Sequence, residues 1–299
     1  MSSDSSSVRE RTSCRICGAS SLSKFLDLGE QPPANALLRK EELSLPEARF
    51  PLALSHCSGC ELIQTTHVVS PELLFRNYVY FSSVSEAMAK HFASYAADVA
   101  DRFVPRDGLV MELGSNDGIL LRTLLGRPLR VLGVDPARNV AEVARERGVP
   151  TIADFFGESL AKQIRAEHGR ASAVIANNVI AHIDDLDSVM RGLDVVLDDQ
   201  GVFVMEAPYV VPFLENLEFD TVYHEHLSYF GVRPLDHLFR RFGFEVFEVR
   251  DQTVHGGTVR VFARRIRAGA PAIDASVQKH FDRERDAGTA DRARLAEFA

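Results

Sequence analysis

The fold is decided by the stretch Leu109-Val110-Met111-Glu112-Leu113-Gly114-Ser115-Asn116-Asp117-Gly118-Ile119. Its apolar first half has the pattern of a buried strand, which runs into a glycine turn at Gly114. Asp117-Gly118-Ile119 then opens a segment with the pattern of a helix. Ligands of open α/β sheets bind at the carboxyl ends of such strands. The stretch therefore predicts a ligand-binding turn between Gly114 and Gly118.

Apolar strands and amphipathic helices alternate from this stretch onward, which is typical of an α/β fold with a parallel, doubly wound sheet. Strands are predicted at Leu109–Leu113, Arg130–Val134, Thr151–Ala153, Ala173–Asn177, Val202–Glu206, Phe244–Val249 and Thr258–Ala263. Helices between the first five are predicted at Ile119–Leu125, Asn139–Arg147, Glu158–His168 and Leu186–Leu197. The last two strands are separated by a short link and are expected to be antiparallel to each other, as in the Rossmann-like sheet of methyltransferases.

Two ligands compete for the turn, a dinucleotide and S-adenosylmethionine (SAM). A dinucleotide needs three glycines and a helix N-terminus that is free for the pyrophosphate. Here the spacing is Gly114-x-x-x-Gly118, with Asn116 in the middle, a residue that tolerates positive φ. Asp117 at the helix start would repel pyrophosphate but suits a ligand that carries an ammonium and a sulfonium. The turn therefore favours SAM over NAD.

Polar side chains follow the next three strands. Asp135 is placed to accept hydrogen bonds from ribose hydroxyls, a feature that NAD enzymes and methyltransferases share. Asp154 can meet the adenine amino group and Phe155 can cover the ring, although both aspartates could instead be helix caps. Such features at successive strand ends favour SAM. The predicted SAM-binding residues are Glu112, Gly114, Ser115, Asn116, Asp117, Gly118, Asp135, Pro136, Asp154, Phe155, Asn177 and Asn178.

All four cysteines precede residue 61 and form two pairs, Cys14-x-x-Cys17 and Cys57-x-x-Cys60. In a reducing compartment this pairing indicates metal ligation rather than disulfides. Four thiolates complete a tetrahedral zinc site and leave no position open for water, so a structural Zn²⁺ is predicted. Redox-active or free thiols are the alternative.

Composition limits the possible partners. The net charge is −8 without a basic cluster, which argues against nucleic acid as a ligand. No run of about 18 apolar residues is present, which argues against a membrane span. The N-terminus has neither the basic region nor the apolar stretch of a signal peptide, so the cytoplasm is the expected location.

Pattern and composition divide the 299 residues into five segments. Residues 1–12 form a polar tail that we expect to be disordered. Residues 13–72 have little core of their own and are expected to be the zinc-binding domain. A helical connection follows at 73–105, and the SAM-dependent methyltransferase domain is expected at 106–267. Residues 268–299 are expected to be the helical start of a truncated C-terminal region.

The segment from Glu218 to Phe230 holds three acids, two histidines and two tyrosines in 13 residues. Methyl transfer to carbon needs a carbanion equivalent, which a ketone provides when a base removes its α-proton and donors hold the enolate oxygen. A histidine base with tyrosine and glutamate partners meets that need. The same side chains could instead position hydroxyls, and the His-x-His spacing could bind a catalytic metal.

Taken together, these residues resemble the zinc-containing, SAM-dependent sugar C-methyltransferases, which act on nucleotide-linked deoxyketosugars in antibiotic and surface-glycan pathways. The resemblance covers nearly the whole chain. Members of that family usually continue into a further C-terminal α/β segment. The matching pieces are Cys14-x-x-Cys17-Gly18, Cys57-x-x-Cys60, Tyr78-Val79-Tyr80-Phe81-Ser82-Ser83, Glu112–Gly118, Tyr223–His226 and His255-Gly256-Gly257-Thr258.

The resemblance implies a class I SAM methyltransferase sheet preceded by a small zinc-binding domain. It also implies methylation at C3 of a TDP-linked 4-keto-deoxysugar, a small-molecule nucleotide-sugar substrate. His226 is then the base that deprotonates C3. The further catalytic candidates are Tyr223, His224, Glu225 and a substrate-facing tyrosine, either Tyr78 or Tyr80. Alternatives are an O- or N-methyltransferase of another metabolite and a noncatalytic SAM- or zinc-binding module.

Overall fold

The computed structural model describes residues 7–76, 86–254 and 256–299. The elements of the N-terminal part are β1 (Val8–Glu10), β2 (Leu22–Gln31), β3 (Phe50–Cys57), β4 (Ile63–Thr65), β5 (His67–Val69) and α1 (Pro71–Phe75). Strands β2, β3 and β4 form an antiparallel sheet, and β1 pairs with β5. Leu22 lies opposite Cys57 at one end of this sheet, the cysteine end, and Gln31 lies opposite Phe50 at the other, the far end.

The second part is a sheet that has seven strands in the described residues, preceded by helix α2 (Glu86–Phe103). Its strands are β6 (Leu109–Leu113), β7 (Arg130–Val134), β8 (Thr151–Ile152), β9 (Ala171–Asn177), β10 (Leu197–Pro208), β12 (Phe244–Gln252) and β13 (Thr258–Arg265). Their order in the sheet is β12-β13-β10-β9-β6-β7-β8. The five neighbouring strands β10, β9, β6, β7 and β8 are parallel, and β13 is antiparallel to both β10 and β12. The predicted doubly wound sheet with an antiparallel last pair is confirmed.

Helices cover both faces of this sheet. Since successive side chains of a strand point to opposite faces, those of β6 alternate between two apolar clusters. Met111 packs in the cluster on one face and Val110 in the cluster on the other. The helices are α3 (Ile119–Arg122), α4 (Arg138–Glu146), α5 (Glu158–His168), α6 (Leu186–Val196), α7 (Val210–Glu215), α8 (Val232–Arg241), α9 (Ala275–Asp286) and α10 (Arg292–Phe298).

Several element boundaries differ from the sequence prediction, and the end of α3 and the start of β10 are two of the larger differences. Helix α3 ends at Arg122 rather than Leu125, because the amides of Thr123 and Leu124 bond three residues back and tighten the chain into turns. Strand β10 begins at Leu197 rather than Val202, and its pairing with β9 is interrupted between these two residues. An interrupted register of this kind leaves no alternating pattern in the sequence.

The two parts are joined through a shared sheet. Strand β11 (Ser228–Tyr229) lies near the end of the predicted catalytic segment, residues 218–230, and pairs with β4 of the N-terminal part. The predicted catalytic segment is thereby held against the cysteine-containing part. None of the helices in residues 7–76, 86–254 and 256–299 is long and apolar enough to span a bilayer.

Candidate active site

A cavity of about 1370 Å³ opens at the carboxyl ends of the parallel strands and is lined by residues of both parts. This is the edge of the sheet at which ligands of open α/β folds bind. Of the predicted SAM residues, those that line it are Gly114, Asn116, Asp135, Pro136, Asp154, Phe155, Asn177 and Asn178.

The glycine turn is held in a left-handed conformation. Gly114 has φ 64° and Asn116 has φ 48°, which confirms the expected positive φ at Asn116. A Cβ at Gly114 would lie 2.8 Å from Cβ of Val179, so only glycine fits there. Asp135 accepts hydrogen bonds from the amides of Asn116 (2.8 Å) and Ala137 (2.9 Å). The Asp135 carboxylate therefore fixes the turn while it lines the cavity.

Asp117 does not carry the role that the sequence argument gave it. Its carboxylate is fully buried outside the cavity lining and pairs with Arg147 at 2.6 Å. The charge that was expected to disfavour pyrophosphate is thus neutralised within the protein. Ser115 and Gly118 also lie behind the cavity wall, where a Cβ at Gly118 would be 2.9 Å from Val149. These residues shape the turn from behind.

Two buried oxygen atoms near the turn, Oδ1 of Asn178 and Oε2 of Glu112, have no hydrogen-bond partner among the described residues. Asn178 lines the cavity. Glu112 is buried beside the cavity and accepts one hydrogen bond from Asn177 Nδ2 at 3.2 Å. A buried acceptor without a donor costs free energy, so these acceptors fit a ligand that brings donors and positive charge, as the ammonium group of SAM does.

Burial raises the pKa of Glu112 well above its ordinary value, and the charges of Asp135 and Asp117 raise it further. The pKa of Asp135 is likewise raised by burial, against the lowering effect of its two amide donors. A carboxyl whose pKa is higher in the folded state binds its proton more tightly there than in the unfolded chain. The free energy of unfolding therefore falls as pH rises from the unfolded pKa through the folded pKa.

This linkage predicts the effect of Glu112→Gln on the ligand-free protein. The variant should lose less stability than the wild type between pH 5 and pH 9, and melt a few degrees higher at the alkaline end. Melting curves at several pH values measure both quantities. Glu142→Gln, on the exposed face of α4, is the matched control and should behave as the wild type. Parallel pH profiles for the wild type and Glu112→Gln would contradict the prediction.

The predicted catalytic segment lines the same cavity through Tyr223, His224 and His226. Nδ1 of His226 is 2.8 Å from the carbonyl oxygen of Thr221, and Nε2 is 2.8 Å from the hydroxyl of Tyr223. A carbonyl oxygen only accepts, so Nδ1 carries the proton and Nε2 presents a lone pair to the Tyr223 hydroxyl. Burial and the charge of Glu225 raise the pKa of Tyr223, which keeps this hydroxyl protonated.

The structure adds His182, which the sequence analysis missed. It follows β9 in a single 3-10 turn, lines the cavity, and its ring centroid lies 5.0 Å from that of His226. Burial and the proximity of His226 lower the pKa of His182 well below its usual value, so this ring is neutral. The available signal was its position four residues beyond Asn178, still at the carboxyl end of the fourth strand.

The other candidates of the segment have different surroundings. His224 lines the cavity, but its Nε2 donates to the carbonyl oxygen of Phe50 at 3.1 Å. Among the described residues, the side chains that come together as a possible metal site are the four cysteines, and His224 and His226 are not part of that group. Glu225 is buried behind the cavity wall, where it accepts a hydrogen bond from Asn35. Tyr78 and Tyr80 lie outside the described residues.

The four cysteines come together at one end of the N-terminal sheet. Their sulfurs all lie within 4.8 Å of one another, and the closest pairs are Cys14–Cys60 at 3.4 Å and Cys17–Cys57 at 3.5 Å. Tetrahedral zinc with Zn–S bonds of about 2.3 Å requires sulfurs about 3.8 Å apart. The four thiols are therefore positioned to bind zinc, and together they would fill all four coordination positions of the metal.

Arg15, between the first two cysteines, connects this zinc site to the catalytic segment. Its buried guanidinium donates to the carbonyl oxygens of Leu227 (2.8 Å) and Thr65 (3.2 Å) and pairs with Asp184 at 3.0 Å. Burial lowers the pKa of Arg15 to about 10, against the raising effect of Asp184. Since Leu227 directly follows His226, Arg15 connects the first cysteine pair to the residue next to the candidate base.

The fold and this site define a class I SAM-dependent methyltransferase joined to a zinc-binding domain. Residues 88–249 match the family model described as "Methyltransferase domain", and residues 14–75 match the one described as "Putative zinc binding domain". The C-methyltransferase NovU of Streptomyces niveus is 37% identical over 298 residues, 98% of this chain and 70% of that protein. The chain therefore belongs to the family of SAM-dependent C-methyltransferases that carry an N-terminal zinc-binding domain. The resemblance that the sequence analysis noted is confirmed, with SAM and Zn²⁺ as cofactors.

Solved structures of other methyltransferases overlap with part of the chain. A SAM-dependent methyltransferase from Anabaena variabilis is 14% identical and has a TM-score of 0.46, with 58% of this chain and 84% of that chain covered. The CcbJ methyltransferase from Streptomyces caelestis is 17% identical with the same TM-score, and 59% and 90% are covered. The assignment to the family rests on the relative with 37% identity and on the family models.

Proposed function

We propose that the protein methylates C3 of a TDP-linked 4-keto-deoxysugar, with His226 as the base that removes the C3 proton. The contact that carries the proposal is the Tyr223–His226 pair, which places a basic ring nitrogen and a phenol hydroxyl 2.8 Å apart on the cavity wall. Carbon methylation needs one base and one donor next to each other, because the proton leaves C3 while charge develops on the keto oxygen.

The proton transfer is assigned to Nε2 of His226. The hydrogen bond from Nδ1 to the Thr221 carbonyl fixes the ring orientation and the tautomer, so Nε2 keeps its lone pair, which accepts the hydrogen bond of the Tyr223 hydroxyl at the cavity wall. When substrate enters, Nε2 accepts the C3 proton, and the electron pair of the C3–H bond forms the enolate double bond. The neutral ring of His182 beside it adds no competing charge.

The enolate oxygen is assigned to the hydroxyl of Tyr223. Since burial and Glu225 keep this hydroxyl protonated, it can move from Nε2 of His226 to the substrate oxygen and donate there. C3 of the enolate would then form the new C–C bond with the methyl group that bound SAM supplies, while the S–CH3 bond breaks and its electron pair stays on sulfur in the released S-adenosylhomocysteine. The keto group would be restored. His226 returns the proton to solvent.

The cavity-lining residues at the ends of β7, β8 and β9 are assigned to the cofactor. When bound, SAM supplies an electrophilic methyl group. Asp135 would meet the ribose, Phe155 the adenine and Asn178 the methionine portion, because all three line the cavity at successive strand ends. Arg76 lies 4.5 Å over the Phe155 ring and holds that ring in place. Substrate and cofactor would thus share one cavity.

The reaction class is tested by the position of the transferred methyl group. With methyl-¹³C-labelled SAM and a TDP-linked 4-keto-deoxysugar, the ¹³C spectrum of the product should show a methyl signal bonded to carbon. A signal typical of O-methyl or N-methyl would support the alternative small-molecule methyltransferase. Retained SAM binding without transfer to any such ketosugar would indicate a noncatalytic module, and either outcome would overturn the proposal.

A further inference from the structure

The zinc-binding domain contributes a side chain to the active site. Nδ2 of Asn35 donates a hydrogen bond to Oε1 of Glu225 at 2.8 Å, across 190 residues of sequence. Glu225 is 1% exposed, and a carboxylate at such depth needs hydrogen-bond donors to remain charged. Asn35 also lines the cavity, so the contact lies at its edge rather than in a remote part of the fold.

The position of Asn35 follows from the N-terminal sheet. Strand β2 runs away from the cysteine end over ten residues, about 30 Å, and Asn35 lies four residues beyond its last residue. A turn holds it there, in which Ala36 N donates to the carbonyl of Pro33 and Leu37 N to that of Asn35. At the same far end of the sheet, the Phe50 carbonyl accepts the hydrogen bond from His224.

The far end of the sheet thus contacts two consecutive residues of the catalytic segment, His224 through a carbonyl and Glu225 through an amide. We propose that Asn35 is a positioning residue of the methyltransferase: its amide fixes the Glu225 carboxylate, and through it the Tyr223–His226 pair. The inference rests on the proposed function, in which that pair carries the proton transfer. It gives the zinc-binding domain a direct part in catalysis, beyond its own folding.

The coupling between the two side chains is tested with Asn35→Ala, Glu225→Gln and the double variant. Asn35→Ala should lower kcat about 10- to 100-fold, the range for loss of a hydrogen bond to a charged group, and change KM much less. The double variant should be no slower than the slower single variant, because both changes remove the same contact. Leu37→Ala, two residues on with a 75% exposed side chain, is the control and should keep wild-type kcat.

The pH profile of Asn35→Asp separates positioning from a general loss of structure. Two facing carboxylates repel when both are charged and share a proton at lower pH, which restores one hydrogen bond. The neighbouring titratable side chains, Tyr223, His224 and His226, are the same in this variant and in the wild type. The kcat of Asn35→Asp should therefore recover as pH falls, relative to the wild type measured at the same pH.

Three results would overturn the inference and leave the proposed function intact. The first is an impaired Glu225→Gln together with an unimpaired Asn35→Ala, and the second is a double variant in which the two effects on kcat multiply. The third is a pH profile of Asn35→Asp that is parallel to the profile of the wild type. Wild-type kcat in Glu225→Gln would remove Glu225 from the proposed function itself, and the inference with it. The two failures are thus distinguishable by the Glu225→Gln variant.

Discussion

Replacing His226 by asparagine should lower the rate of methyl transfer by about 10²- to 10⁴-fold, the contribution of a general base. Asparagine keeps a polar side chain of similar shape and can still donate to the Thr221 carbonyl, but it has no basic lone pair to replace Nε2. SAM binding should be unchanged, because His226 is not among the cavity-lining residues assigned to the cofactor. Single-turnover rates together with calorimetry of S-adenosylhomocysteine binding measure both quantities.

The control for this variant is His237→Asn, the same change at an exposed position of α8. It should show the wild-type rate. A His226→Asn enzyme that methylates within a few-fold of the wild type would remove His226 as the base. The segment would then serve to position hydroxyl groups, as in an O-methyltransferase.

Removing one zinc ligand with Cys60→Ser should abolish both zinc binding and methyl transfer. Structural zinc contributes on the order of 10 kcal/mol to the folding of small domains, and the four sulfurs lie together at one end of the N-terminal sheet. Loss of the metal should disrupt the contacts of Arg15 with Leu227, of β11 with β4, and of the far end of the sheet with the catalytic segment. The expected activity is below about 1% of the wild type, since the loss of a structural metal site is among the largest single-residue effects.

The matched control is Ser58→Ala, an exposed residue between the second pair of cysteines. It should retain one zinc per chain and wild-type activity. Zinc content by atomic absorption and activity of the same samples provide the measurement, and re-addition of Zn²⁺ to chelated wild-type protein should restore activity. Full activity in a zinc-free Cys60→Ser protein would show that the N-terminal part acts without the metal.

Local pattern predicted most of the sheet. The bounds of β6 and β7 agree with the prediction, because each is a short apolar run that ends at a turn. The two cysteine pairs predicted the zinc site equally well, since ligand spacing is itself a local signal. The SAM-side strand ends also converge on one cavity, because carboxyl ends of parallel strands share an edge.

Non-local contacts were beyond the reach of the sequence. Nothing in the residues around Ser228 indicates a partner at Gln64 in another domain, and the pairing of Asp117 with Arg147 reversed an electrostatic argument that the turn alone had supported. His182 was not predicted, because a single histidine in an apolar stretch forms no motif with other polar residues. Such contacts depend on which strands become neighbours, a property of the whole fold.

Exchange of the C3 proton tests the central claim most directly. A TDP-linked 4-keto-deoxysugar is incubated in deuterated water with the enzyme and S-adenosylhomocysteine, so that the base can act without methyl transfer. The wild type should introduce deuterium at C3, which is measured as the loss of the C3 ¹H signal. His226→Asn should not raise the exchange rate above the rate in buffer alone. Exchange by His226→Asn at the wild-type rate, or methylation by a wild type that catalyses no exchange, would contradict the assignment of His226 as the base.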